Sequence, residues 1–166
     1  ISHGIRFESI NTGEIKHSNL DFGLILTKQD IEPPKSKTIT VSVPGRDGDL
    51  DLTESFGEVK YDNRTIKFTF ECIEGLTAWE TRKTQVANFI HGQKMKITTW
   101  SDIEYYYIGR CSVDEYSSSK NQGTIVISCD CEPYKYKQNV TTITLVSGTN
   151  TIENSRMTVY ADLVCG

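Results

Sequence analysis

The densest set of groups that could do chemistry lies at 44–64, PGRDGDLDLTESFGEVKYDNR. Numbered as a calcium-binding EF-hand loop, Asp47, Asp49 and Asp51 take positions 1, 3 and 5, and Glu58 takes position 12. A hard cation wants that many carboxylate oxygens from a tightly folded chain. Two positions argue against it. Leu52 stands where the loop needs a glycine for its sharp turn, and Glu54 stands where an apolar residue is normal. The flanking patterns are strands, not helices. We therefore expect no metal here and read the segment as architecture: a turn at Asp47-Gly48, then an extension facing solvent or a neighbouring subunit.

The remaining candidates for chemistry are weaker. Cys129 and Cys131 could contribute to a zinc site, but their C-x-C spacing has no second pair or histidine at finger-like distance. With Cys72, Cys111 and Cys165 they make five, an odd count better suited to small buried hydrophobes than to a disulfide framework. None of the three histidines (His3, His17, His91) stands in a motif with a nucleophile, and no nucleophile elbow, P-loop or zinc-protease helix occurs. His91 falls where it would stabilise a helix C-terminus. Paired carboxylates can hydrolyse glycosides, but only at a spatial separation that a sequence does not display. We expect no enzyme and no cofactor. Trp100 with Tyr105, Tyr106 and Tyr107 flanks a turn at 101–104 and could stack on sugar rings; the plainer reading is aromatic packing in strands.

Composition narrows the classes. In 166 residues, 37% are hydrophobic, 24% charged and only four are proline, so the chain is globular, with enough length for one domain and a real core. A net charge of −4 lacks the basic footprint of a protein that grips phosphates. No apolar stretch approaches the roughly 20 residues of a membrane-spanning helix, so no membrane insertion is expected. ISHGIRFESI has neither the basic start nor the apolar centre of a signal peptide. Asn-x-Thr triplets occur at Asn63 and Asn139 and matter only in a eukaryotic secretory pathway.

Period-2 alternation dominates. It aligns Ile39, Val41 and Val43 in 38–43; Ile66, Phe68, Phe70 and Cys72 in 65–72; and Ile125, Ile127, Cys129 and Cys131 in 123–131. Such strands set one face in a core and the other in water or against a partner. Further strands are expected at 4–10, 22–27, 94–100, 104–113, 140–146 and near 158–164. Turn signals separate them at Pro33-Pro34, Asp47-Gly48, Ser101-Asp102, Asn121-Gln122-Gly123 and Ser147-Gly148. One segment breaks the pattern. Trp79, Val86, Phe89 and Ile90 share a helical face, with the Lys83 stem filling a turn, Thr77 and Glu80 fitting a capping box, and Gly92 a C-terminal stop. The expected fold is mainly β, a sandwich or barrel-like domain with one helix at about 77–91.

The order HSNLDFGLILT (17–27), PP (33–34) and TVSVPGRDGDLDLTESFGEVKYDNRTIKFTFEC (40–72) resembles the N-terminal domain of siphophage distal tail proteins (Dit). The Trp-containing helix ending in His91-Gly92, DIEYYYIGR (102–110) and CEPYKYK (131–137) agree, so the likeness spans roughly 3–137. The resemblance implies a β-sandwich with a helix, similar to phage tail-tube proteins, and a structural hub rather than an enzyme. Members form a hexameric ring at the tail tip, joining the tail tube protein to the tail-associated lysin or tip protein and leaving a channel through which DNA passes without specific binding. A mildly acidic wall would suit that passage. The expected location is the virion tail tip, and the host bacterial cytoplasm during assembly.

The same resemblance implies a belt that embraces the neighbouring subunit. By position, Pro44, Gly45, Arg46, Asp47, Gly48 and Asp49 are candidates for that interface. It also divides the chain into a ring domain at 1–137 and a short strand extension at 138–166, where the family's galectin-like domain begins. Three readings stand side by side: a ring-forming hub, preferred; a carbohydrate-binding module of the phage adhesion device, using Trp100, Tyr105, Tyr106 and Tyr107; and a Ca²⁺-dependent module using 47–58.

Overall fold

The computed structural model describes residues 3–72, 76–119, 122–139, 142–149 and 151, with 76 and 77 described by their backbone alone. The fold is mainly β with one helix. Among the described residues ten strands run β1 (Ile5–Ser9), β2 (Ile15–His17), β3 (Ile25–Ile31), β4 (Thr40–Ser42), β5 (Asp49–Asp51), β6 (Arg64–Cys72), β7 (Lys94–Thr99), β8 (Tyr105–Ser119), β9 (Gln122–Cys131) and β10 (Tyr136–Lys137); helix α1 (Leu76–Ile90) lies between β6 and β7. The large antiparallel sheet has the order β2-β1-β7-β8-β9-β6-β3, with β10 pairing β8, while β4 and β5 pair with each other.

Register explains the core. Across the sheet, Phe7 faces Ile97, Ile97 faces Tyr107, Cys111 faces Cys129, Ile66 faces Cys129 and Phe68 faces Ile127, so β1, β7, β8, β9 and β6 turn their apolar phases to one side. These residues are buried. Phe7 on β1 and Phe68 on β6 are four strand steps apart, about 19 Å in a flat sheet. Their rings nevertheless meet edge to face at 6.2 Å. The sheet therefore curls over on itself, and its two ends close on a shared core, which is the sandwich geometry. Among the described residues no ladder joins β2 to β3, so two edges remain.

Helix α1 covers this core through buried Trp79, Val86 and Ile90, with Phe89 partly buried against Phe22 at 6.0 Å. Gly92, at φ 75°, takes the left-handed conformation that ends the helix. The side chain of Thr77 lies outside the described residues. Glu80 pairs forward with Lys83 at 2.7 Å. His91 does more than sit at the helix end: its Nδ1 accepts a hydrogen bond from the backbone N–H of Val113 at 3.1 Å, beside a bulge in β8.

Several expectations change. The strand expected at 22–27 begins only at Ile25, because Gly23 turns the chain at φ 62° and drops Phe22 and Leu24 into the core. The strand expected at 123–131 begins one residue earlier, at Gln122, which the turn signal claims. Residues 142–146 form no strand, 140 and 141 lie outside the described residues, and so does the strand expected near 158–164. The segment 38–43 does not put its apolar face into the core at all.

Candidate assembly surface

Between β3 and β6 the chain leaves the sheet as an arm spanning 35–62. The β3–β6 ladder, which pairs Ile31 with Ile66, continues outward in the same register. Asp62 N–H donates to the Lys35 carbonyl and Lys37 N–H to the Lys60 carbonyl, both at 2.8 Å, around a Ser36–Tyr61 bridge. The loop 53–59 then bulges out, and β4 and β5 close the end of the arm, with Val41 opposite Leu50. Tyr61 braces the base edge to face against Tyr134 at 6.4 Å.

The arm carries apolar side chains outside the core. Ile39, Val41 and Val43 are 43%, 44% and 39% exposed, and Phe56 on the loop is 83% exposed. Strand alternation puts Ile39, Val41 and Val43 on one face. A two-stranded hairpin is marginal by itself in water, so an arm of this kind gains most from a surface that covers its apolar face. The interface candidates come together at its end: Pro44, Gly45, Arg46, Asp47 and Gly48 form the exposed tip, and Asp49 opens β5. Gly45 and Gly48 have φ 84° and 76°, and Arg46 N–H donates to the Val43 carbonyl at 3.2 Å. Glycine at both positions permits this tight reversal.

The acidic residues of the arm do not converge. Asp51 is engaged locally: its carboxylate accepts hydrogen bonds from the Thr53 hydroxyl and from the Thr53 N–H at 2.9 Å. Those two bonds hold its carboxyl below the usual carboxylate range, the hydroxyl contributing more. The Thr53 hydroxyl in turn accepts from Ile39 N–H at 3.1 Å. Asp51 thus braces the turn that follows β5. Among the described residues no three His, Cys, Asp or Glu side chains form a group that could hold a metal ion.

The aromatic candidates split. Strand alternation places Tyr105 and Tyr107 on one side of β8 and Tyr106 on the other. Tyr107 is buried, 5.5 Å from the Arg64 guanidinium, and Lys135 lies 5.8 Å from the Tyr105 ring and pairs with Asp102. Tyr106 stacks on Tyr136, a partner the sequence reading missed, at 5.6 Å. The Tyr136 hydroxyl donates to Glu132, and this bond, then burial and the Glu132 charge, push the phenol up to about 12. Trp100, 43% exposed, meets His3 at 4.4 Å. The four residues therefore make no continuous platform. Cys72, Cys111, Cys129 and Cys131 are free and buried, as small hydrophobes would be; Cys165 lies outside the described residues.

No protein-family model matches the chain, and no curated protein matches it in sequence. Solved structures do match. The crystal structure of the SPP1 Dit (gp 19.1) protein, described as a paradigm of hub adsorption apparatus in phages infecting Gram-positive bacteria, aligns with TM-score 0.60 at 14% identity over 83% of this chain. This chain has the fold of that protein's aligned region. It spans about half of it, 54% of its length. The phage p2 baseplate in its activated conformation with Sr gives 0.49 at 11% identity, over 77% of this chain and 43% of that one. The tail of an empty GTA particle gives 0.43 at 10% identity, over 82% of this chain and 95% of that one. These two superpose too loosely to bear on the fold.

Proposed function

We propose that this chain is a structural hub of a siphophage tail tip or baseplate. Six copies form a ring that joins the tail tube protein to the tail-associated lysin or tip protein, and DNA passes through its channel unbound. It works in the virion tail, after assembly in the host cytoplasm. Its mechanism is assembly, with no catalytic group. The observation that carries the reading is the 35–62 arm: apolar residues that the core does not use, raised on a ladder continuous with the sheet, in a fold shared with a phage hub protein. A ring needs heterologous contacts whose rotation closes, and an arm that reaches from one subunit onto the next supplies them. The glycine-built tip at 44–49 sets how far the arm extends.

The test is mass by light scattering over a concentration series, with negative-stain images of the large species, repeated with tail tube protein added. An annulus of six copies, alone or on the tube, supports the reading. A monomer under both conditions overturns it.

A further inference from the structure

We propose that Cys111 and Cys129 are a disulfide site: an oxidant of the low-molecular-weight disulfide class joins them into a cross-strand clamp between β8 and β9. The inference stands on the sheet geometry and does not depend on the function proposed above.

Three observations converge. First, the register sets Cys111 directly opposite Cys129. Second, the backbone of Cys111 turns away from β9: its N–H donates to the Gln93 carbonyl at 2.9 Å, and its carbonyl accepts from Gly92 N–H at 2.8 Å. Cys111 and Cys129 therefore form a non-hydrogen-bonded pair, whose Cα atoms stand about 4.5 Å apart with side chains at their closest, inside the range a disulfide spans. Third, the two sulfurs are 2.9 Å apart, closer than two thiols ordinarily pack.

The same geometry excludes the other partners. Cys131 sits diagonally from Cys111, and diagonal neighbours lie about 7–8 Å apart, beyond unstrained bridging. Its own opposite position is Gly109, whose missing side chain leaves room for it: a Cβ there would lie 2.5 Å from the Cys131 sulfur. Cys72 faces Gly123, at the far end of β9.

The reaction balances as thiol–disulfide exchange. One protein thiolate attacks the small disulfide, forming a mixed disulfide and expelling one small thiolate. The second protein thiolate attacks the protein sulfur of that mixed disulfide, closing the Cys111–Cys129 bond and expelling the other. Two protein thiols are oxidised and one small disulfide is reduced to two thiols. Both sulfurs are buried, so exchange proceeds while the hairpin is open, during folding or local opening. Once closed, the bond ties β8 to β9 at the residue whose backbone also holds the segment leaving α1.

The experiment refolds the full chain with either oxidised or reduced glutathione, blocks free thiols, and maps peptides without reduction. We expect the thiol count in denaturant to fall from five to three with oxidised glutathione, a peptide joining Cys111 to Cys129, and a Tm higher by roughly 5–10 °C than the reduced protein. Cys131→Ser should leave the linkage and the Tm gain intact, and Cys111→Ser should abolish both. Five free thiols after oxidation, or a bond to Cys72, Cys131 or Cys165 instead, would overturn the proposal.

Discussion

The indole of Trp79 lies directly on Gly123: a Cβ at 123 would fall 2.2 Å from Cε3 of that ring and 2.3 Å from Cδ2. The glycine is a strand residue whose lack of a side chain lets the helix settle onto β9. Gly123→Ala must push a rigid ring out of a packed core, so we expect a loss of about 1–3 kcal/mol. Chemical denaturation should show it, and shortening the ring with Trp79→Leu should make the two changes less than additive.

Phe7 and Phe68 hold the curled ends of the sheet together through their edge-to-face contact. Each ring alone is worth about 3–5 kcal/mol on truncation to alanine. The pair should also couple. A double-mutant cycle with Phe7→Leu and Phe68→Leu is expected to return about 0.5–1.5 kcal/mol of interaction. A coupling of zero would mean that the two ends of the sheet do not meet through these rings.

The arm should separate assembly from stability. Val41→Asp puts a charge on an apolar face that the core does not use, so the Tm of the isolated chain should move by only about 2 °C or less. On the proposed role, the same variant should lose the large species in light scattering. A variant that keeps its ring would remove the apolar face of the arm from the interface.

At the end of the arm, Asp51 should make local order acid-sensitive. Its folded pKa lies below the ordinary 3.8, so its contribution is present above that value and fades as pH falls through the folded pKa. Protection of the Thr53 amide, measured against the intrinsic exchange rate at each pH, should therefore fall on acidification below about pH 4. Asp51→Asn should show the lower protection at neutral pH already.

Much of the sheet was legible because alternation over eight or nine residues, at 65–72 and 123–131, admits few other readings. Ile66, Phe68 and Phe70 could only share a face, and Trp79, Val86 and Ile90 only a helical one. Alternation does not say what covers a face, however. Ile39, Val41 and Val43 have the same pattern as the core strands, yet the arm carries them into solvent. The role of Gly123 was hidden for a related reason: it stands in the strand expected at 123–131, and nothing in that pattern says that a tryptophan 44 positions earlier rests on it. The tyrosine run showed the opposite limit. Adjacent aromatics in a strand point to opposite sides, and the partner of Tyr106 is Tyr136, thirty residues away.

That partner gives the last prediction its sign. The phenol of Tyr136 is raised from 10.0 to about 12, first by donating to Glu132. A raised folded pKa favours the protonated form, so the stabilisation is fully present below about pH 10 and is lost as pH rises through 12. The stability gap between the native chain and Tyr136→Phe should therefore narrow across that window. Glu132→Gln removes the charge that holds the proton, and the phenolate absorbance of Tyr136, taken as the difference from Tyr136→Phe, should then appear nearer pH 10. Cys131, raised from 9.0 to about 12 mainly by burial, acts with the same sign over an overlapping window: its contribution is present below about pH 9 and is lost as pH rises to 12. Cys131→Ala removes that contribution, so the two effects can be measured apart. If Tyr136 ionised at the same pH with and without Glu132, the hydrogen bond between them would carry no weight in solution.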